Sequence, residues 1–190
     1  MTSEEKALLL HQSNWATAYL VVAQLHMHSP RGASSASAPP SSPRRLDFLS
    51  YGAWNTFIVD VDVPSTSRDV HVGMRMTLTS RGIAGPGLNT TSSEIVTVLD
   101  DGTDEDEDED ASDYLLAAWR YDDGLGGAGT RAEHPTVLVA LGDGTTTRML
   151  SYETYYEGLS TGTIALLRDQ LQERFETQAS DLKAYVESKR

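Results

Sequence analysis

The chain lacks cysteine and long apolar runs. With no cysteine among its 190 residues, disulfides, thiolate zinc sites and cysteine nucleophiles are excluded. The longest largely apolar run, residues 16–25, covers about half of what a membrane-spanning helix needs. The first residues, MTSEEKALLL, carry Glu4 and Glu5 where a secretory signal would be positive, and they do not resemble a transit peptide. We therefore expect no membrane span and no targeting segment in this chain.

Positive charge is also scarce. The chain has 15 Lys and Arg against 28 Asp and Glu, which gives a net charge of −13. Ten of the 28 acidic residues lie within residues 100–113, so the rest of the chain is close to neutral. The acidity is therefore local and does not indicate salt adaptation. A concentrated anionic segment repels nucleic-acid phosphate and attracts basic partners.

The two ends of the chain have helical patterns. Residues 2–28 are predicted to form a helix, because Thr2 and Glu5 have the spacing of a capping box and apolar residues then recur every three to four positions. Residues 160–188 are predicted to form a long C-terminal helix with Ile164, Leu171 and Phe175 on one face. Between the first helix and the next element, residues 29–45 (SPRGASSASAPPSSPRR) indicate a flexible Pro/Ser linker or insertion.

The middle of the chain alternates with period two. Strands are predicted over residues 55–63, 70–78, 94–99, 114–121, 137–141 and 148–156. In the first strand Phe57, Val59 and Val61 share one face, and the short links between strands favour antiparallel hairpins. The sequence therefore predicts one α+β domain over residues 1–190, with an N-terminal helix, a twisted antiparallel sheet of six or more strands and a long C-terminal helix.

An acidic segment interrupts one predicted hairpin. Residues 100–113 are interpreted as an acidic hairpin-loop insertion, where extra length costs little closure entropy. Its seven consecutive acids could be a solvated spacer, a weak Ca²⁺ binder or a docking element for a basic protein. Of the functional alternatives we favour partner binding, and the predicted contact residues are Asp104, Glu105, Asp106, Glu107, Asp108, Glu109 and Asp110.

No other pattern predicts a catalytic, cofactor or metal site. Asp60 and Asp62 share a strand face, but the polar side of any amphipathic strand has this appearance. His26 and His28, two residues apart on a predicted helix, would point in different directions and could not chelate a metal. The remaining histidines considered, His71 and His134, are solitary, with His134 at a loop-to-strand junction. We expect no enzyme.

Three stretches carry a resemblance to a known family. EIVTVLDDG followed by DYLLAAWRYDDG gives a hairpin with acid-rich ends, and the chain closes with SDLKAYVESKR. Over about a third of its length the chain resembles the mitochondrial acidic matrix protein family, which includes the complement globular-head receptor. The resemblance implies a ring-shaped homotrimer in the mitochondrial matrix that acts as a chaperone-like binder of basic proteins; without it, the expected location is cytoplasmic.

The functional prediction is therefore a non-enzymatic, acidic interaction protein that binds basic proteins, as a homo-oligomer. The alternative is a structural subunit of a larger assembly, such as a ribosome-associated, cytoskeletal or virion component. A third hypothesis, an enzyme that uses Asp60, Asp62 and His71 on the polar face of the sheet, has no catalytic signature behind it.

Overall fold

The computed structural model describes residues 19–28, 48–63, 70–100, 114–122, 129–141, 146–156 and 161–188. In chain order its elements are β1 (Tyr19–His28), a 3-10 helix (Phe48–Ala53), β2 (Ile58–Asp62), β3 (Arg75–Arg81), β4 (Asn89–Asp100), β5 (Tyr114–Asp122), β6 (Arg131–Leu141), β7 (Thr146–Tyr156), α1 (Thr161–Leu166) and α2 (Arg168–Glu187). The α+β class, the antiparallel sheet and the long C-terminal helix are confirmed. Within the described residues no helix is long and apolar enough to cross a membrane.

Seven antiparallel strands form one sheet in the order β1-β7-β6-β5-β4-β3-β2. From β2 to β7 each strand pairs with its neighbour in sequence, as successive hairpins require. The exception is β1, which pairs along its whole length with β7, from Tyr19 opposite Tyr155 to His28 opposite Thr146. The first and last of the described strands are therefore neighbours in the sheet.

The prediction of a helix through residue 28 is wrong for residues 19–28, which form β1. The segment YLVVAQLHMH has apolar residues at helical spacing, but it also alternates at period two and contains adjacent valines, which favour a strand. Ten consecutive residues of this segment pair with β7, and this pairing selects the strand over the helix. Residues 2–18 and the predicted linker, residues 29–45, lie outside the described residues.

The predicted β2–β3 hairpin is confirmed, but its details differ. A register shift between Ile58 and Asp60 places an irregularity in β2, so Ile58 and Val61 are buried while Val59 is half-buried. The strand predicted over residues 70–78 begins only at Arg75. Before it, Gly73 has a φ of +87°, and Val72 is 57% exposed instead of facing the core.

Helix α2 packs on the sheet through one apolar stripe. Leu171, Phe175 and Ala179 recur at intervals of four and belong to the main core with Trp119 of β5 and Val96 of β4. The predicted helix over residues 160–188 is thus confirmed, with a break at Leu167 between α1 and α2.

Polar contacts hold α2 in place at two points. Near its C-terminal end, the Asp181 carboxylate accepts hydrogen bonds from the Thr56 backbone N–H (2.9 Å) and from the Thr56 hydroxyl (2.6 Å). Near its N-terminal end, the Gln170 side chain donates to the Gly82 carbonyl in the loop between β3 and β4. These contacts fix the helix across the concave face of the sheet, where the core lies.

Strands β4 and β5 pair antiparallel, with Asp100 opposite Leu116. At the ends of the pair the Tyr114 hydroxyl donates to the Asp100 carboxylate at 2.6 Å. The connection that holds the acidic run, residues 101–113, joins these two strands and lies outside the described residues. The partner-binding prediction for Asp104 through Asp110 is therefore not tested by this structure.

Candidate functional site

A cavity of about 230 Å³ lies between α2 and the concave face of the sheet. Aromatic rings and aliphatic side chains form most of its wall, and a few polar groups interrupt them. Its lining residues come from β2 to β7, from the β3–β4 loop and from both helices: Phe57, Ile58, Leu78, Ser80, Ile83, Ser92, Glu94, Trp119, Tyr121, Thr130, Ala132, His134, Glu153, Tyr155, Ile164, Leu171 and Phe175.

The strand register explains why Glu94 and Glu153 face the same cavity. Glu94 of β4 is paired with Tyr121 of β5, two positions along from the pair of Val96 with Trp119. Because alternate residues of a strand share a face, Glu94 faces the helix together with buried Val96. By the same rule, Glu153 of β7 shares the inner face with Tyr155. The two acids therefore enter one cavity from strands that are distant in the sequence.

Glu94 is a buried carboxyl, with 7% of its surface exposed. The pKa of Glu94 is raised to about 8, mainly by burial; a hydrogen bond with Ser92 opposes the rise, and the nearby charge of Glu153 contributes to it. At neutral pH the protonated form therefore dominates. A carboxyl of this kind can donate a hydrogen bond, or ionise when a cation comes close.

Glu153 is the second carboxyl of the cavity, and it is half-buried. The Tyr155 hydroxyl donates to its Oε2 atom at 2.6 Å. Burial raises the pKa of Glu153 to about 7, although this hydrogen bond favours the charged form. The cavity thus contains two acids that both change protonation near neutral pH, which is typical of functional sites.

His134 lies in the cavity wall between two aromatic rings. Its ring centroid is 4.4 Å from that of Trp119 and 4.8 Å from that of Phe175, and its Nε2 atom is 2.9 Å from the Ser151 hydroxyl. Burial lowers the pKa of His134 to about 3, so the imidazole is neutral at physiological pH. The neutral His134 ring is therefore part of the aromatic wall of the cavity, and its Nε2 atom makes a polar contact with the Ser151 hydroxyl.

Of the polar candidates whose side chains the structure describes, His134 lines this cavity, whereas Asp60, Asp62 and His71 do not. Asp60 and Asp62 are exposed on β2, with buried Val61 between them, and His71 is exposed in the segment before β3. His134 was expected at a loop-to-strand junction; it lies within β6 because that strand begins at Arg131. In the described part of the chain, no three His, Asp or Glu side chains group as metal ligands.

Sequence reasoning missed Glu94 and Glu153. The available signal was position along the strand, because alternate residues of a strand share a face. Glu94 precedes Val96 by two positions, and Glu153 lies two positions from both Ser151 and Tyr155. An acid in phase with the apolar face of a strand is a candidate buried charge. One such residue is a weak signal, and only the fold shows that two of them share a cavity.

A curved seven-stranded antiparallel sheet that wraps a long C-terminal helix and encloses a cavity defines a helix-grip fold. No protein-family model and no curated protein matches the chain. Several solved structures share the fold at low sequence identity. The hypothetical protein jhp0584 from Helicobacter pylori superposes with a TM-score of 0.61, at 14% identity over 88% of each chain.

Two plant proteins superpose in the same way. The major latex-like protein 151 of Panax ginseng has a TM-score of 0.56 at 12% identity, covering 88% of this chain and 97% of its own. A norcoclaurine synthase point mutant from Thalictrum, solved with a transition state analogue, has a TM-score of 0.54 at 12% identity, covering 90% and 96%. At such identities the likeness shows the fold alone.

Because one neighbour is named as an enzyme, the prediction of a non-enzyme gains no support from these comparisons. The resemblance to the mitochondrial acidic matrix proteins stays a prediction.

Proposed function

We propose that the protein binds a small, mainly apolar molecule in the cavity between α2 and the sheet. The observation that carries this proposal is the lining itself, in which Trp119, His134 and Phe175 surround a space that also contains the carboxyls of Glu94 and Glu153. Small-molecule sites have this composition, a concave apolar wall with a few polar groups that orient the ligand.

The size of the cavity limits the ligand. An apolar cavity of about 150 Å³ is enough to bind benzene. A volume of about 230 Å³ therefore suits one aromatic ring with a short side chain. The half-buried residues of the lining are Ile83, Ser92, Tyr121, Thr130, Glu153 and Ile164. We place the ligand entrance at Ile83, Thr130 and Ile164, which come from the β3–β4 loop, the residue before β6 and α1.

Filling the cavity tests the proposal. Ala132 lines the cavity and is 1% exposed, so the added carbons of Ala132→Leu occupy ligand space. Ala184→Leu makes the same change at an exposed position of α2 and is the matched control. With 4-fluorotoluene as the probe and ¹⁹F NMR as the readout, the wild type and Ala184→Leu should bind and Ala132→Leu should not. Equal binding by a folded Ala132→Leu variant would contradict the proposal.

Binding of basic proteins by the acidic run, without catalysis and as a homo-oligomer, is a second proposal. It is supported by the location of Asp104 through Asp110 in the connection between paired strands, whose ends the contact between Tyr114 and Asp100 holds together. Concentrated exposed charge at one place favours salt-sensitive association with cations.

A length-preserving variant tests this second proposal. Replacing the seven acids with Asn and Gln removes their charge without shortening the connection. We expect weaker binding of poly-lysine and a flatter dependence on salt, with an unchanged melting temperature. If affinity and salt dependence are both unchanged, the run does not bind basic partners. The solution mass by light scattering tests the expected trimer.

A further inference from the structure

We infer that the ligand of the cavity carries an ammonium group, held between the carboxylates of Glu94 and Glu153, with its aromatic part against Trp119, His134 and Phe175. This inference rests on the proposed function and names the class of ligand, a primary amine with one ring. It stands on the placement of two acids in the wall of one cavity.

The cavity contains acids without a matching base. Among its described lining residues there is no Lys or Arg. The polar contacts of the two acids are neutral: Ser92 bonds Glu94, and the Tyr155 hydroxyl bonds Oε2 of Glu153. Buried carboxylates are ordinarily paired with a cation, because an unpaired buried charge is costly. The described lining of the cavity supplies none, so a cationic ligand would complete the site.

The shape and chemistry of an ammonium fit this arrangement. It has three donors and no acceptor, so it can bond to both carboxylates at once, and charge-assisted hydrogen bonds are about twice as strong as neutral ones. Aromatic faces such as those of Trp119 and Tyr121 also attract cations. A carboxylate ligand would instead add a negative charge next to two acids, which opposes the ionisation of either. An alcohol has one hydroxyl donor and no positive charge, so it cannot stabilise the two carboxylates together.

The protonation states of the cavity give a second readout. Glu94 and Glu153, whose pKa values are raised to about 8 and about 7, hold protons near neutral pH when the cavity is empty. The other titratable groups in the lining are His134, which is neutral, and the phenols of Tyr121 and Tyr155; the helices contribute only Ile164, Leu171 and Phe175. An arriving ammonium favours both carboxylates, so binding should release protons to the buffer.

The experiment is calorimetric titration at pH 7.5 with three matched probes: 2-phenylethylamine, 2-phenylethanol and phenylacetate. A hydrogen bond to a charged group contributes about 1.5–3 kcal/mol, which corresponds to roughly 10- to 150-fold in affinity. We therefore expect the amine to bind the wild type at least about tenfold more tightly than the alcohol, and phenylacetate to bind most weakly. Titrations in buffers of different ionisation enthalpy should show proton release with the amine alone.

The double variant Glu94→Gln, Glu153→Gln should lose the preference for the amine and keep its affinity for the alcohol. Glu173→Gln, the same change at an exposed position of α2, should behave as the wild type. If the wild type binds 4-fluorotoluene and the alcohol as tightly as the amine, the ammonium inference is wrong while the proposed function stands. If it binds none of these probes, the proposed function fails as well.

Discussion

Replacing Glu94 with Gln should change how the stability of the protein depends on pH. Glu94 is 7% exposed, and burial raises its pKa from 4.5 to about 8. Between these two values the folded protein keeps a proton that the unfolded chain has released. The free energy of unfolding therefore falls as the pH rises through this window, and the stabilisation is complete only below about pH 4.5.

The size of the effect follows from the pKa. One pKa unit corresponds to about 1.4 kcal/mol, so the rise to about 8 predicts a loss of roughly 5 kcal/mol between pH 4.5 and pH 8. The Glu94→Gln variant has no carboxyl to ionise at this position and lacks that part of the loss. Glu153, whose pKa is about 7, adds a similar but smaller decline in both proteins.

Urea denaturation at pH 5.5 and at pH 8.5, followed by circular dichroism, measures this difference. The variant and the wild type should be closer in stability at pH 5.5, and the variant should gain several kcal/mol on the wild type at pH 8.5. Glu173→Gln removes an exposed carboxylate from α2 and should keep the pH dependence of the wild type. Parallel pH profiles for Glu94→Gln and the wild type would refute the assignment of Glu94 as a buried, protonated acid.

Three further variants test the packing and burial described above. Phe175→Ala should lose about 3–5 kcal/mol in urea denaturation, because the ring is 1% exposed and stacks on His134. Burial lowers the pKa of His134 to about 3, so between pH 6.5 and 4.5 the unfolded chain binds a proton that the folded protein does not, and the folded protein loses stability as the pH falls. The His134→Gln variant has no such group and should lose less stability over this pH range. Gly52→Ala should lower the melting temperature and cost about 1–3 kcal/mol, because its Cβ would lie 2.7 Å from the Val59 carbonyl oxygen. Unchanged stability of Phe175→Ala or Gly52→Ala, or an unchanged pH dependence of His134→Gln, would contradict the corresponding argument.

Strong local periodicity explains which elements could be predicted. Strands β5 to β7 are short apolar and aromatic segments, and Leu171, Phe175 and Ala179 recur every four residues because one face of α2 is buried; these elements are confirmed. The segment from Tyr19 to His28 satisfies two periods, and only its pairing with β7, at the other end of the chain, selects the strand. The irregularity after Ile58 likewise depends on the partner strand and not on the segment itself.

The candidate site was less predictable for a related reason. Its polar residues are single acids in separate strands, and each resembles an ordinary polar residue when read alone. Glu94 and Glu153 become a pair only when the sheet curves around α2 and brings β4 and β7 to one cavity. The acidic run is recognisable in the sequence because its charges are consecutive, whereas Glu94 and Glu153 are near each other only in the folded protein.

The pairing of β1 with β7 has a consequence for synthesis of the protein. During translation β1 emerges first, but Tyr19 cannot meet Tyr155 until almost the whole sheet has left the ribosome. The other strands can form hairpins with the neighbours that precede them, so β1 must wait as an unpaired edge. The contact between β1 and β7 closes a long loop of the chain, which lowers its conformational entropy, so we expect it to form late. We expect docking of the first strand to be the slow step of folding, and chains interrupted before β7 to aggregate through β1.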